Sequence, residues 1–238
     1  MNKILRYSIL ASLALAVCAA YGQESLLQRN VELIASPNVA ADLRLTTGQA
    51  SEANSLFSTF QTKRSAKLTE LESAKPDKAD QINSEIAKMV VDLDDHLLAL
   101  LTAPQKERLL QIGIQQEGSQ ALTDSLVAEK IGLTPAQRSK IKAILGQIME
   151  AQNEYQSAVA GAMAKIPDPN LKDQKAIDSY YKGKREEIAY QFAGQKDHFE
   201  AVKANGSKEI LNLMSAAQQK KWLALHGRPL AGQISDGN

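Results

Sequence analysis

The sequence predicts an all-α fold of long helical hairpins, and three observations predict it. Apolar residues recur at three- and four-residue steps over long stretches, prolines interrupt those stretches midway through each half, and four Ser/Thr-x-x-Gln signals stand where helices would begin. Two halves with related motifs follow one another, so the expected organisation is 1–22 as a signal segment, 23–120 and 121–226 as two homologous hairpin units, and 227–238 as a tail.

The first element is a targeting signal rather than part of the fold. Lys3 and Arg6 precede an apolar run from Ile9 to Ala20, too short for a membrane span, and Ala20-Tyr21-Gly22 offers a cleavage site. An alternative is a lipobox at Leu15-Ala16-Val17-Cys18, which would lipidate Cys18 and tether the protein to a membrane. Cys18 is the single cysteine, so a processed chain would have no disulfide and must be held by packing. Loss of Lys3 and Arg6 leaves 26 basic against 27 acidic residues, a net charge of −1, which offers nucleic acid no electrostatic footprint. No later stretch reaches the apolar length of a membrane span.

Internal similarity defines the units. Val39-Ala40 through Leu45-Thr46-Thr47-Gly48-Gln49 aligns with Val127-Ala128 through Leu133-Thr134-Pro135-Ala136-Gln137 at an offset of 88. Leu97 to Gln105 aligns with Ile210 to Gln218 at an offset of 113, so the second copy has the longer arms. The outgoing arm of the second copy carries Ile141, Ile144, Leu145, Ile148, Tyr155, Val159 and Met163, one helical stripe. Leu56, Phe57, Phe60, Leu68 and Leu71 repeat it more weakly in the first. The returning arms carry Ile82 to Leu101 and Ile177 to Leu213, the latter with Tyr181, Phe192 and Phe199 as expected core residues. Turns are predicted at Lys75-Pro76-Asp77 and Pro167-Asp168-Pro169-Asn170, because proline lacks a donor and disfavours helix in the residue before it. Gly118-Ser119 marks the boundary between copies, and Gly227-Arg228-Pro229 leads into a tail expected to lack fixed structure.

The helix starts are capping boxes, in which a hydroxyl accepts from a first-turn amide and the glutamine reaches back to the capping residue. They comprise Leu45, Thr46 and Gln49; Leu101, Thr102 and Gln105; Leu133, Thr134 and Gln137; and Met214, Ser215 and Gln218. Pro135 occupies the first helical position, where its missing amide hydrogen costs nothing. The residues placed to complete a hydrophobic staple are Ala50, Lys106, Arg138 and Gln219, so Leu45, Leu101, Leu133 and Met214 are expected to bury where consecutive helices meet.

Four such L-T-x-x-Q segments, paired in an exported, cysteine-poor helical chain, resemble the Spy/CpxP family, whose members usually carry two in a shorter chain. The resemblance spans roughly Val39 to Leu225, with only the motif segments specific. It implies an ATP-independent periplasmic holdase for unfolded or misfolded envelope proteins, built as an antiparallel helical cradle that is a dimer in known members. It equally implies, as an alternative, a stress- or metal-sensing accessory that binds a periplasmic sensor domain. The chain departs from the family by carrying two units, with charges of −4 over 23–120 and +3 over 121–238, and its fourth motif begins with Met214-Ser215.

Candidate chemistry is sparse. Asp92 and His96, four residues apart beside Asp94 and Asp95, are the best metal candidates, but zinc needs further ligands from His198, His226 or a second chain, and a solvated acidic face is the simpler reading. Ser139 and Lys142 form a serine–lysine pair on paper, though turn-mates on one helix are the ordinary case. No Walker loop or Rossmann glycine pattern occurs, so the chain reads as a non-enzyme without a cofactor. For client binding the candidates are Tyr180, Lys182, Lys184, Arg185 and Tyr190, in a segment holding five of the nine aromatics that follow Gly22. Tyr190 falls opposite the apolar arc, where an exposed ring beside cations would contact unfolded chains without demanding one sequence.

Overall fold

The computed structural model describes residues 25–230 except 168, 170 and 172. Residues 1–22, expected to be a signal segment, with Cys18 among them, and the tail beyond residue 230 lie outside the described residues. Among the described residues ten α-helices and two short 3-10 turns make up the fold and no β-strand occurs, as the all-α reading expects. The helices are α1 Leu26–Val31, α2 Pro37–Asp42, α3 Thr47–Glu72, α4 Pro76–Leu100, α5 Ala103–Glu117, α6 Ser125–Ile131, α7 Pro135–Met163, α8 Gln174–Gln191, α9 Ala193–Leu213 and α10 Ala216–Leu225. None of the described helices is long and apolar enough to cross a membrane.

The chain divides into two compact units, 1–127 with 221–238, and 128–220. This differs from the expected boundary at Gly118-Ser119. The sequence boundary follows the order of the motifs, whereas compactness follows burial, and the segment after Lys220 packs with the first unit although it is far away in sequence.

In the first unit α3 and α4 form a hairpin. Pro76 starts α4 at its first helical position, and Lys75 before it is extended (φ −72°, ψ 159°), as a residue preceding proline prefers. The helices α1 and α2 fold against the root of this hairpin and α5. One apolar cluster results, with Val31, Ile34, Val39 and Leu43 meeting Ala53, Phe60, Leu93, Leu97, Leu101, Leu109 and Ile112. Each fully buried side chain of this kind contributes about 1.5–3 kcal/mol. Toward the turn the stripe thins, so Leu68 and Leu71 are only half-buried.

Side chains of Lys67, Glu70, Lys78 and Glu85 take over near that turn. Lys67 Nζ lies 2.6 Å from Glu85 and 3.1 Å from Glu70, and Lys78 Nζ is 2.8 Å from the other oxygen of Glu70. The neighbouring ammonium groups, Lys78 foremost for Glu70 and Lys67 for Glu85, hold both carboxyls below the ordinary glutamate value. Glu85 first, then Glu70, raise the Lys67 ammonium.

In the second unit α9 packs along α7 and α8 contacts both. Ile141, Ile144, Leu145 and Ile148 of α7 are buried, as are Ile188, Ile210 and Met214. Gly206 permits close approach there: a Cβ at this position would come within 2.7 Å of Ile148 Cδ1 and 3.0 Å of Ile144 Cγ2. The returning arm is not one regular helix. Phe192 leaves helical geometry (φ −102°, ψ 14°) between α8 and α9, close to Gly194, a weak helix former. Expected as core, Tyr181, Phe192 and Phe199 are instead half-buried, because the arms beyond Ala151 share a narrow seam with too little opposing surface to cover large rings. Phe199 stacks on Tyr155, with centroids 6.4 Å apart and planes 6° from parallel.

Candidate functional site

All four sequence-predicted capping residues stand at helix starts, and the structure joins their glutamines in pairs that spacing alone does not reveal. In the first unit Thr46 N donates to Gln49 Oε1 at 3.0 Å and Gln49 N to Thr46 Oγ1 at 3.2 Å, completing the box. The Gln49 amide then extends beyond its own helix: Nε2 donates to Leu100 O at 2.6 Å and to Gln105 Oε1 at 2.9 Å. Gln105 reciprocates, with Nε2 3.1 Å from Gln49 Oε1 and 3.3 Å from Leu43 O, while its Oε1 accepts from Thr102 N at 2.9 Å. Two helix starts and two preceding helix ends are thereby satisfied by two side chains.

The second unit repeats the arrangement. Thr134 N donates to Gln137 Oε1 and Ser215 N to Gln218 Oε1, both at 2.9 Å. Gln137 Nε2 reaches Leu213 O at 2.7 Å and Gln218 Oε1 at 2.9 Å, and Gln218 Nε2 reaches Gly132 O at 2.6 Å and Gln137 Oε1 at 3.0 Å. The hydrophobic residue of each motif goes where the missing staple requires. Leu101, Leu133 and Met214 are buried, and Leu45 packs half-buried against the first-unit cluster. Asparagine would be one methylene too short for this double duty, and glutamate has no donor to give.

A fifth box and a shared cap escaped the sequence reading. Ser25 N donates to Gln28 Oε1 at 3.0 Å and Gln28 N to the Ser25 hydroxyl at 3.3 Å, so the Ser-x-x-Gln signal was legible there too. Asp124 is buried, and its Oδ2 accepts from Leu26 N at 2.6 Å while its Oδ1 accepts from Leu126 N and Val127 N at 2.9 and 3.1 Å. Its local role as the cap of α6 follows from asparate preceding a helix; the bond to Leu26, across 98 residues, has no local signal.

The client-binding candidates lie on α8. Tyr190 is 87% exposed, as its position opposite the apolar arc predicts. Tyr180 is half-buried, its hydroxyl donating to Pro167 O at 3.2 Å and its ring meeting Tyr181 edge-on at 5.4 Å. Lys182 and Arg185 are exposed, whereas Lys184 is half-exposed and pairs with Glu187 at 2.7 Å, which raises its ammonium. Beside them an open cleft of about 490 Å³ runs between α7 and α8, lined by Ile166, Pro167, Ile188 and Phe192 with Lys184 and Glu187 at its rim. Farther along α7, Met149 borders a second shallow groove and is 49% exposed.

The metal candidates are engaged otherwise. Both oxygens of Asp92 accept from Lys88 Nζ, at 2.7 and 2.9 Å, and His96 Nδ1 contacts the Asp92 carbonyl oxygen. Asp94 is buried, His226 Nδ1 is 2.9 Å from Trp222 O, and no group of three or more metal-ligating side chains occurs among the described residues. Asp92 and His96 are thus not brought together with further ligands. Ser139 and Lys142 remain turn-mates on α7.

Fold and site together define an all-α protein of clasped helical hairpins. Comparison with protein-family models, curated proteins and solved structures finds no match.

Proposed function

We propose that the protein is an ATP-independent holdase of the bacterial periplasm, exported by its first 22 residues, which binds unfolded or partly folded clients and performs no catalysis. The observation that carries the reading is the α7–α8 hairpin of the second unit. Its stripe is only half-buried toward the turn, a cleft of about 490 Å³ opens there between apolar and charged side chains, and Tyr190 projects into solvent from the opposite side of α8. Such a surface contacts aliphatic and acidic segments weakly and without a fixed register, which is what a client with no fixed structure requires.

We further read the chain as two copies of one ancestral unit. The matching offsets and the two glutamine clasps, each bonded to the same kinds of carbonyl, support this. The resemblance to the Spy/CpxP family rests on the same motif segments.

Light scattering of a chemically denatured client diluted into buffer tests the function. A several-fold molar excess of the protein is expected to suppress aggregation in proportion to its concentration and without nucleotide. Tyr190→Ser with Arg185→Ser, both at exposed positions, is expected to reduce the suppression at least threefold. An unchanged aggregation curve with the unaltered protein would refute the holdase reading.

A further inference from the structure

The tail 227–238 is expected to lack fixed structure, yet its first four residues, Gly227 to Leu230, are fastened to the first unit. Gln115 does much of the fastening. Its Nε2 donates to Arg228 O at 2.7 Å and to His226 O, and its Oε1 accepts from Leu230 N at 3.2 Å. One side-chain amide therefore holds three main-chain groups between His226 and Leu230, the way peptide grooves hold a ligand's backbone.

Two side chains add selectivity. Arg228 Nη2 lies 2.6 Å from Asp42 Oδ1 and 3.2 Å from Asp42 O, and Leu230 is buried in the first-unit cluster. The Asp42 side chain is only 3% exposed, and its other oxygen accepts from Arg108 Nε at 2.5 Å. Entry to this face demands glycine: Gly227 has φ +60°, and a Cβ there would fall 2.1 Å from Gln111 Oε1. Pro229 in turn favours an extended backbone at Arg228.

We propose that this face of the first unit is a peptide-binding groove for Gly-Arg-x-Leu segments, filled in cis by residues 227–230 and open in trans to the same segment of a second copy. Two features make the occupant exchangeable. Arg228 is 60% exposed, so water reaches its ion pair, and Arg108 still neutralises Asp42 when Arg228 departs, so an empty groove holds no bare buried charge. The second copy is the natural competitor because it carries the identical segment, with the glycine, arginine and leucine in place.

Fluorescence anisotropy of a labelled Leu-His-Gly-Arg-Pro-Leu peptide with the full-length protein tests the groove. Arg228→Ala with Leu230→Ala, which weakens the cis occupant, is expected to bind the peptide at least tenfold more tightly than the unaltered chain. Gln115→Ala added to it is expected to lose at least tenfold. Equal binding by the double variant and the unaltered chain, or equal binding of a scrambled peptide, overturns the proposal. If the double variant loses its helical circular dichroism, Arg228→Ala alone serves, with a threefold gain expected and no gain overturning. Sedimentation of the unaltered chain mixed with the double variant is expected to show a mixed dimer at high concentration; peptide binding without that dimer overturns the second copy as occupant.

Discussion

At the scale of single residues, the fold depends on polar side chains that each satisfy several backbone groups. Gln137 is the clearest: it completes a capping box, holds the last turn of α9 through Leu213 O, and exchanges amide bonds with Gln218. Truncating it takes the side-chain partner from the Leu213 carbonyl and from the Thr134 N–H, and such losses cost about 1–3 kcal/mol. Gln137→Ala and Gln218→Ala are each expected to lower stability by about 2 kcal/mol in urea unfolding, with a coupling of about 1 kcal/mol between them in a double-mutant cycle. A coupling of zero would mean that the clasp is only two independent caps. Threonine followed by glutamine three residues later was legible as a cap because the box is local. The left-handed residue before it was legible only in one unit: Gly132 has φ +80°, and at the aligned position Arg44 has φ +52°, a conformation no arginine announces.

At the scale of elements, apolar periodicity placed the arms of both hairpins and proline placed their turns. What periodicity could not place was the short helices α1 and α2 or the irregularity at Phe192, since six residues carry too little pattern and a single off-helical residue carries none. Near the turn of the first hairpin an ion-pair network stands beside buried Ile82, and that network has its own pH response. Glu70 and Glu85 titrate below their ordinary value of 4.5, so their contribution is complete above that pH and is lost as the pH falls through the folded-state values. Lys67 titrates above 10.5, so its contribution is present below that pH and is lost as the pH rises through the folded-state value. Carboxyl-detected NMR titration is expected to place both glutamates below 4.5, and Lys67→Met is expected to move Glu85 back toward it. High salt is expected to weaken the shift, because these groups are exposed and screened.

For the whole molecule, contacts between distant parts of the sequence decide what is compact. Asp124 ties the start of α1 to the start of α6, and Asp42 ties Arg108 to Arg228, across 66 and 186 residues. Asp124→Ala removes three backbone bonds from a buried carboxylate, a loss exceeding the ~1 kcal/mol of an ordinary cap. It is expected to cost about 3 kcal/mol, since a hydrogen bond to a charged group contributes a net of about 1.5–3 kcal/mol and bonds that share one acceptor group do not add, and to speed hydrogen exchange through Leu26–Val31. A change under 1 kcal/mol would show that the other contacts of α1, buried Leu26 and Val31 and the bonds of Arg29 and Asn30 to Glu117, hold it without Asp124.

By itself, the sequence determined the all-helical class, the two hairpins, their turns and the four capped starts, because helix periodicity, proline and capping chemistry act within a few residues of the chain. Only the tertiary structure decided that the capping glutamines meet in pairs, that α1 docks through Asp124, and that residues 227–230 belong with the first unit. Those outcomes depend on groups 50 to 190 residues apart finding one another, and burial of shared apolar surface, which leaves no local trace in the order of amino acids, is what brings them together.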